Sequence, residues 1–314
     1  MLKQVFPTGL VVAENFMSFE AMKLFEKDWD VSSSQMKKGD FKSELYAVHT
    51  PNIQIGTRSY NKGMMFRGYY PEHCVVIYLY VSKSLVRVEN KIIGRNELLI
   101  GLPSGKLDII IDSAFTVYTV AIEKVFFNKA FKTLFSQSFD TYSMDKMLLV
   151  NPLEMTKFLE DVSTRIASLS NHEFNEQYDY DALELELLDS LFGCIEQSEK
   201  IPFRKKFDIV KVRKYLDDNI HFNITISEMS KALNIGKRQL QNAFKINYGM
   251  TPKKYMQMIR LNAVYKELRQ VEVDEVTVTE VAYKYDFIHL SYFTKQYKQL
   301  FSETPSCTLN KRVS

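Results

Sequence analysis

Only three of the 314 residues are cysteines, and Cys74, Cys194 and Cys307 lie far apart. They form no C-x-x-C pair and no disulfide framework, which excludes a disulfide-stapled secreted scaffold and fits a reducing cytoplasm. Long apolar runs are missing as well. The longest, Cys74 to Val81, spans eight residues, far short of the roughly 20 that a membrane helix needs. The first residues, MLKQVFPTGLVV, have no sustained apolar core and no small-residue cleavage site, so no signal peptide is expected. Histidine is scarce. His49, His73, His172, His221 and His289 show no H-x-H or H-E-x-x-H spacing, and His73-Cys74 reads as a strand edge, so no metal site is expected. No G-x-S-x-G, P-loop or G-x-G-x-x-G occurs. The carboxylates Glu160/Asp161 and Glu184/Glu186 read as solvated helix faces. The expectation is a chain that is not an enzyme and carries no cofactor.

What is present is an ordinary globular composition, 46% apolar and 25% charged, with an uneven charge distribution. From Lys200 onward there are 21 basic and 11 acidic residues, a net +10; the first 199 residues carry a net −7. A basic C-terminal third fits a polyanionic partner, and a solvated basic surface gives the same count. Residues 44–123 read as short strands (VVIYLYV, LVRVE, NELLIGL, KLDIIID, FTVYTVAIE) separated by turn signals. Many short strands at close spacing predict a small β-barrel or sandwich, cupin-like, with flanking helices. The period then becomes helical across 124–198. Met155, Leu159, Val162, Ile166 and Leu169 mark one helix face and Leu183, Leu187, Leu188, Leu191 and Ile195 another. The proline and charge cluster at 199–206 (EKIPFRKK) is the expected linker between a domain at 1–198 and an all-α domain at 207–314. The fold class is therefore α+β.

The C-terminal third contains a repeat. Thr225-Ile-Ser-Glu228 and Thr277-Val-Thr-Glu280 both read T-x-x-E, the capping-box spacing, 52 residues apart. Downstream, Phe244-Lys245 matches Tyr297-Lys298 and Thr251-Pro252 matches Thr304-Pro305, now 53 apart, so the second copy has one extra residue in its central turn. Each copy divides into two short helical runs joined by a tight turn, the helix-turn-helix pattern. Met229, Leu233, Leu240 and Phe244 point inward in the first copy; Val281, Tyr285, Phe293 and Tyr297 do so in the second. The outer face of the first copy's second helix carries Lys237, Arg238, Gln241, Asn242 and Lys245. Arg, Gln and Asn are the side chains able to make paired contacts to base edges in double-stranded DNA. The matching face of the second copy carries Leu290, Ser291, Tyr292, Thr294, Lys295 and Lys298. Lys254 to Arg269 reads as one continuous linker helix. Lys231, Lys253, Lys254 and Lys284 join the lysines of both faces as candidates for phosphate contact.

These residues together resemble the AraC/XylS family of bacterial transcription regulators. The likeness covers roughly Phe207 to Ser306 and rests on Phe244-Lys245, Tyr248 to Pro252, Arg260-Leu261-Asn262-Ala263 and Phe293 to Pro305. Asp286 stands where the family has glycine in its second turn, and Glu303, preceded by Ser302, where it has glycine before the last Thr-Pro. The family's closing Tyr-Arg is missing. The first half resembles the sensor half of ethanolamine-operon-type regulators of this family, through FEKDWDVSSSQMKKGDFKSEL, the strand region and FFNKAFKTL; no ligand follows from that likeness. The family resemblance implies a cytoplasmic, sequence-specific DNA-binding transcription activator that works with RNA polymerase and responds to a small-molecule effector. Arg58, Arg67, Tyr69, Tyr70 and Tyr78 are candidates to line an effector site at the barrel mouth. The resemblance further implies a homodimer seam on one of the two apolar-striped helices; packing of both helices on the barrel explains the same stripes.

Overall fold

The computed structural model describes residues 11–17, 29–82, 85–88, 91–93, 97–136, 139, 147–150, 152–170, 179–196, 199–200, 209–271 and 276–311. The β-branched and aromatic runs form strands, whose successive side chains point to opposite faces. In chain order these are β1 Val11–Phe16, β2 Val31–Gln35, β3 Ser43–His49, β4 Ile53–Tyr60, β5 Met64–Tyr69, β6 Cys74–Ser82, β7 Val86–Val88, β8 Lys91–Ile93, β9 Glu97–Gly101, β10 Lys106–Ile111, β11 Phe115–Glu123, β12 Met147–Leu149 and β13 Glu199–Lys200. They make two antiparallel sheets facing each other. The large one runs β1-β3-β4-β11-β6-β9-β12-β13 and the small one β2-β5-β10-β7-β8. Strand structure thus begins well before residue 44. β12 lies inside the stretch expected to be helical, and Glu199-Lys200, expected as linker, pairs with Leu148-Leu149 instead. Residues 201–206 of the expected linker lie outside the described residues.

Three helices, α1 Lys124–Phe135, α2 Pro152–Ser170 and α3 Tyr180–Glu196, cover the outer face of the large sheet. Strand alternation explains why the sequence's longest apolar run needs no membrane. Val75, Ile77 and Leu79 of β6 pack under these helices with Phe127, Phe158 and Leu191. Cys74, Val76 and Tyr78 point the other way, into the core between the sheets. Both α2 and α3 bury their stripes here, Met155, Phe158 and Val162 from one and Leu187, Leu188 and Leu191 from the other. Glu184 is not solvated as expected. It is fully buried on α3, where its carboxylate accepts from Thr50 Oγ1, from the Asn52 backbone at 2.7 Å and from Asn52 Nδ2 at 2.8 Å. A helix carboxylate here closes the β3–β4 turn, whose amides would otherwise be buried without acceptors.

The rest of the chain is helical: α4 Ile209–Asp218, α5 Ile226–Leu233, α6 Lys237–Tyr248, α7 Pro252–Gln270, α8 Val278–Lys284, α9 Leu290–Phe301 and α10 Pro305–Asn310. The linker helix α7 is buried nearly all round, because both helix-turn-helix units and the small sheet pack on it. The small sheet has one face toward the large sheet, through Leu107, Ile109 and Ile111. Its other face, through Met65 and Ile110, joins Val212, Leu216, Tyr255 and Met258 in a core shared with the helical domain. Each such apolar side chain contributes on the order of 1.5–3 kcal/mol. Among the described residues, no helix is long and apolar enough to cross a membrane.

Candidate nucleic-acid interface

The two helix pairs open with the same local device. In α5, Thr225 Oγ1 accepts from the Glu228 backbone at 3.2 Å and the Glu228 carboxylate accepts from the Thr225 backbone at 2.8 Å. Thr277 and Glu280 repeat this at 3.2 and 2.7 Å at the start of α8. These hydrogen bonds hold both glutamate carboxyls below their usual range: for Glu228 the backbone bond to Thr225 is the largest cause, for Glu280 the Thr277 side chain. The capping contribution is therefore present at neutral pH and is lost as pH falls through the lowered values. Thr251 and Thr304 cap α7 and α10 ahead of Pro252 and Pro305, where proline's missing N–H costs nothing.

The turns need left-handed backbone. Asn234 (φ 52°) ends α5 and Asp286 (φ 61°) takes the corresponding position after α8. These two are 52 residues apart, whereas the starts of α6 and α9 are 53 apart, so the extra residue falls within 287–289. Gly249 (φ 64°) ends α6 and Ser302 (φ 62°) ends α9. Ser302, and not Glu303, therefore occupies the position of the first copy's glycine. Glu303 instead accepts from Thr308 Oγ1 at 2.6 Å and pairs with Lys311.

On α6, Leu240, Ala243, Phe244 and Tyr248 are buried, while Lys237, Arg238, Gln241, Asn242 and Lys245 are all exposed. On α9, Phe293, Tyr297, Leu300 and Phe301 are buried and Ser291, Tyr292, Lys295 and Lys298 are exposed. Two residues expected on that outer face sit differently. Leu290 packs against the core, and Thr294 is half-buried. Lys284 does not offer a free cation: its ammonium lies 2.9 Å from both oxygens of Glu267. The sequence reading also missed exposed apolar side chains beside both motifs, Ile246 (61%) and Ile288 (68%). The 3.6-residue period that turns Phe244 inward places Ile246 on the opposite face, whereas Ile288 lies in the turn, where no period applies.

A second set of residues escaped the sequence reading because it joins the two domains. Gln35, at the end of β2 and 1% exposed, exchanges two backbone hydrogen bonds with the Asn262 side chain of α7, at 2.8 and 3.0 Å. Its own side-chain amide donates to the carbonyls of Lys37, Gly39 and Leu300 at 2.6–2.7 Å. Arg213 of α4 pairs with buried Asp108, and Arg87 Nε donates to the Ile246 carbonyl at 2.9 Å. A buried Asn in mid-helix was the one available signal, at Asn262.

The expected effector residues separate. Arg58 and Tyr78 line a cavity of about 50 Å³ between the sheets, with Trp29, Tyr60, Phe66, Tyr80 and Phe115; Arg58 lies over the Trp29 ring at 5.9 Å. Burial, with Tyr70 and Tyr60 nearby, pushes the Tyr80 hydroxyl well above its usual value. Tyr70 is buried beside Tyr78, ring centres 5.9 Å apart. Arg67 is not at a barrel mouth. Phe66 points into the sandwich, so its neighbour points out, toward Asp217 at 3.2 Å and over the Tyr255 ring. Tyr69, of the same parity, is 46% exposed. Among the described residues, no group of three His, Cys, Asp or Glu side chains is arranged to hold a metal ion.

A family model described as a helix-turn-helix domain matches residues 229–311. The XylDLEGF operon transcriptional activator of Pseudomonas putida is 30% identical over 101 residues, which are 32% of this chain and 32% of that protein. The probable thc operon regulatory protein of Rhodococcus erythropolis is 29% identical over 92 residues, 29% of this chain and 28% of that one. The chain thus matches about a third of the length of these curated relatives. Among solved structures, the AraC-like transcriptional activator CuxR aligns with a TM-score of 0.44 at 12% identity, over 82% of this chain and 96% of that one.

Proposed function

We propose, from a C-terminal third that is a helix-turn-helix domain of the AraC/XylS type, that the whole chain is a sequence-specific DNA-binding transcription activator. The observation that carries this is the duplication. Two capped helix pairs on one buried linker helix each present an exposed second helix, and the first bears Arg238, Gln241 and Asn242. In helix-turn-helix proteins that helix enters the major groove by its N-terminal half, and a tandem pair reads two successive segments. In this reading the two-sheet domain is the sensor. Its aromatic cavity, holding Arg58 and Tyr78, takes a small effector on opening, since about 50 Å³ is below the ~300 Å³ of ordinary ligand sites. Dimerisation through the sensor, RNA polymerase contact and action in the cytoplasm belong to the same proposal.

Salt dependence of binding tests it. If half of the lysines flanking the motifs meet phosphates, the log–log slope of affinity against salt is about −4 or steeper. A gel-shift series on the DNA upstream of the chain's own gene measures it; a flat dependence between low and physiological salt removes the DNA-binding reading.

A further inference from the structure

We infer that the turn after β2, in the sensor, is part of the DNA-contacting surface: Lys37 and Lys38 meet the phosphate backbone together with Lys253 and Lys254. This rests on the DNA-binding reading above and extends it to the other domain.

The observation is a groove of about 680 Å³ where the two domains meet. Met258 and Leu261 of α7 lie at its base, and four lysines, Lys37, Lys38, Lys253 and Lys254, line it together with no acidic residue. All four are exposed. Lys38 Nζ donates to Gln299 on α9 at 2.8 Å; none of the four has an acidic partner within ion-pair distance among the described residues. The turn is fixed to the helical domain. Gln35 ties Lys37 and Gly39 to Leu300, and the Gly39 N–H donates to the same Leu300 carbonyl at 3.1 Å. Gly39 is left-handed at φ 107°, a backbone conformation that strains any residue with a Cβ.

Helical phase connects the groove to the reading faces. On α6, Arg238, Asn242 and Lys245 form a row at i, i+4 and i+7 that continues to Gly249 at i+11, a groove residue. On α9, Tyr292 and Lys295 continue to Gln299 at i+7, another groove residue. The groove therefore lies between the ends of the two exposed rows. Helices reading successive major-groove segments stand about 34 Å apart on the duplex, and the backbone between those segments passes over the surface joining them. Four cations from two separate chain segments outnumber what one small head group needs, and a strand of phosphates uses them all.

The test uses the full chain and a 30-base-pair duplex of random sequence, with Kd measured from 0.05 to 0.3 M salt. Lys37→Gln/Lys38→Gln, both at exposed positions, removes two phosphate contacts. The slope becomes shallower by about 1.8, and binding at 0.15 M weakens by about 30-fold. Lys37→Arg/Lys38→Arg restores both. Lys106→Gln/Lys129→Gln, the same charge change at the far end of the small sheet and on α1, leaves the slope unchanged. An unchanged slope in the Lys37/Lys38 variant overturns the inference and leaves the groove to a small anion. Equal loss in the Lys106/Lys129 control overturns it as a mere net-charge effect. A flat slope in the parent chain brings down the DNA-binding reading and this inference with it.

Discussion

Asp286 shows how one residue meets two demands. Its backbone is left-handed, which costs a residue with a Cβ about 1–2 kcal/mol relative to glycine. Its carboxylate lies 3.7 Å from Arg260 Nη1, and Arg260 is 6% exposed on α7. Burial lowers the pKa of that guanidinium, and Asp286 opposes the shift. Arg260 Nε also donates to the Ile220 carbonyl at 2.9 Å, so the pair ties the second turn to the segment ahead of the first motif. Asp286→Ala loses the counter-charge and keeps the strained Cβ, and we expect a loss of about 2 kcal/mol in urea unfolding. Asp286→Gly loses the charge but relieves the backbone, and its loss is expected to be less than half as large. Equal losses would show that the ion pair alone matters. The sequence made Asp286 legible, because its place in the repeat asks for a residue that tolerates positive φ. It misplaced the last such position at Glu303, since Ser302 gives no comparable signal of its own.

The two helices proposed to read DNA, α6 and α9, are not equivalent. Both are twelve residues long, yet α6 exposes four side chains with base-reading chemistry, Arg238, Gln239, Gln241 and Asn242, whereas α9 exposes Ser291, Tyr292, Gln299 and lysines and turns Leu290 to the core. Arg238→Ala is therefore expected to cost about 1–3 kcal/mol at the cognate site and to relax preference at one or two base pairs. Lys295→Ala is expected to alter the selected sequence less. Selection from randomised DNA compares them directly, and a larger change from Lys295→Ala would assign the dominant reader to α9. Helix existence, caps and inward faces in this half were legible because 3.6-residue periodicity and T-x-x-E report short-range physics. Strand parity was harder. Arg67, Arg87 and Asp108 leave the sandwich because their neighbours Phe66, Val86, Val88, Leu107 and Ile109 enter it, and that assignment needs the register, which the sequence alone does not supply.

On the scale of the whole molecule, the net charges of −7 and +10 suggest an acidic half held against a basic one. The contacts are more particular. Arg67 of the two-sheet domain meets helical-domain Asp217, and helical-domain Arg213 meets Asp108 of the two-sheet domain, so ionic traffic runs in both directions. Asp108 is 3% exposed and has two arginines near it, Arg67 Nε at 4.0 Å and Arg213 closer still. Removing it leaves both with less compensation in a partly dry seam. Asp108→Ala should lower the unfolding free energy of the full chain by about 3 kcal/mol, and Asp108→Leu/Arg213→Met by less than that single change. A double variant as damaged as Asp108→Ala would mean that packing, and not charge, sets the cost. Apart from Asn262, this seam was not legible in the sequence, because domain docking pairs residues more than a hundred positions apart.

The small sheet buries apolar side chains on both faces. One face packs on the large sheet and the Met65 and Ile110 part of the other on α4 and α7, which makes separate expression of the two halves a poor experiment. Cutting the chain between residues 200 and 209 uncovers Met65 and Ile110 on one piece and Val212, Tyr255 and Met258 on the other. Each piece then carries an adhesive patch whose natural complement is the other piece, and we expect co-produced halves to reassemble and either half alone to lose solubility.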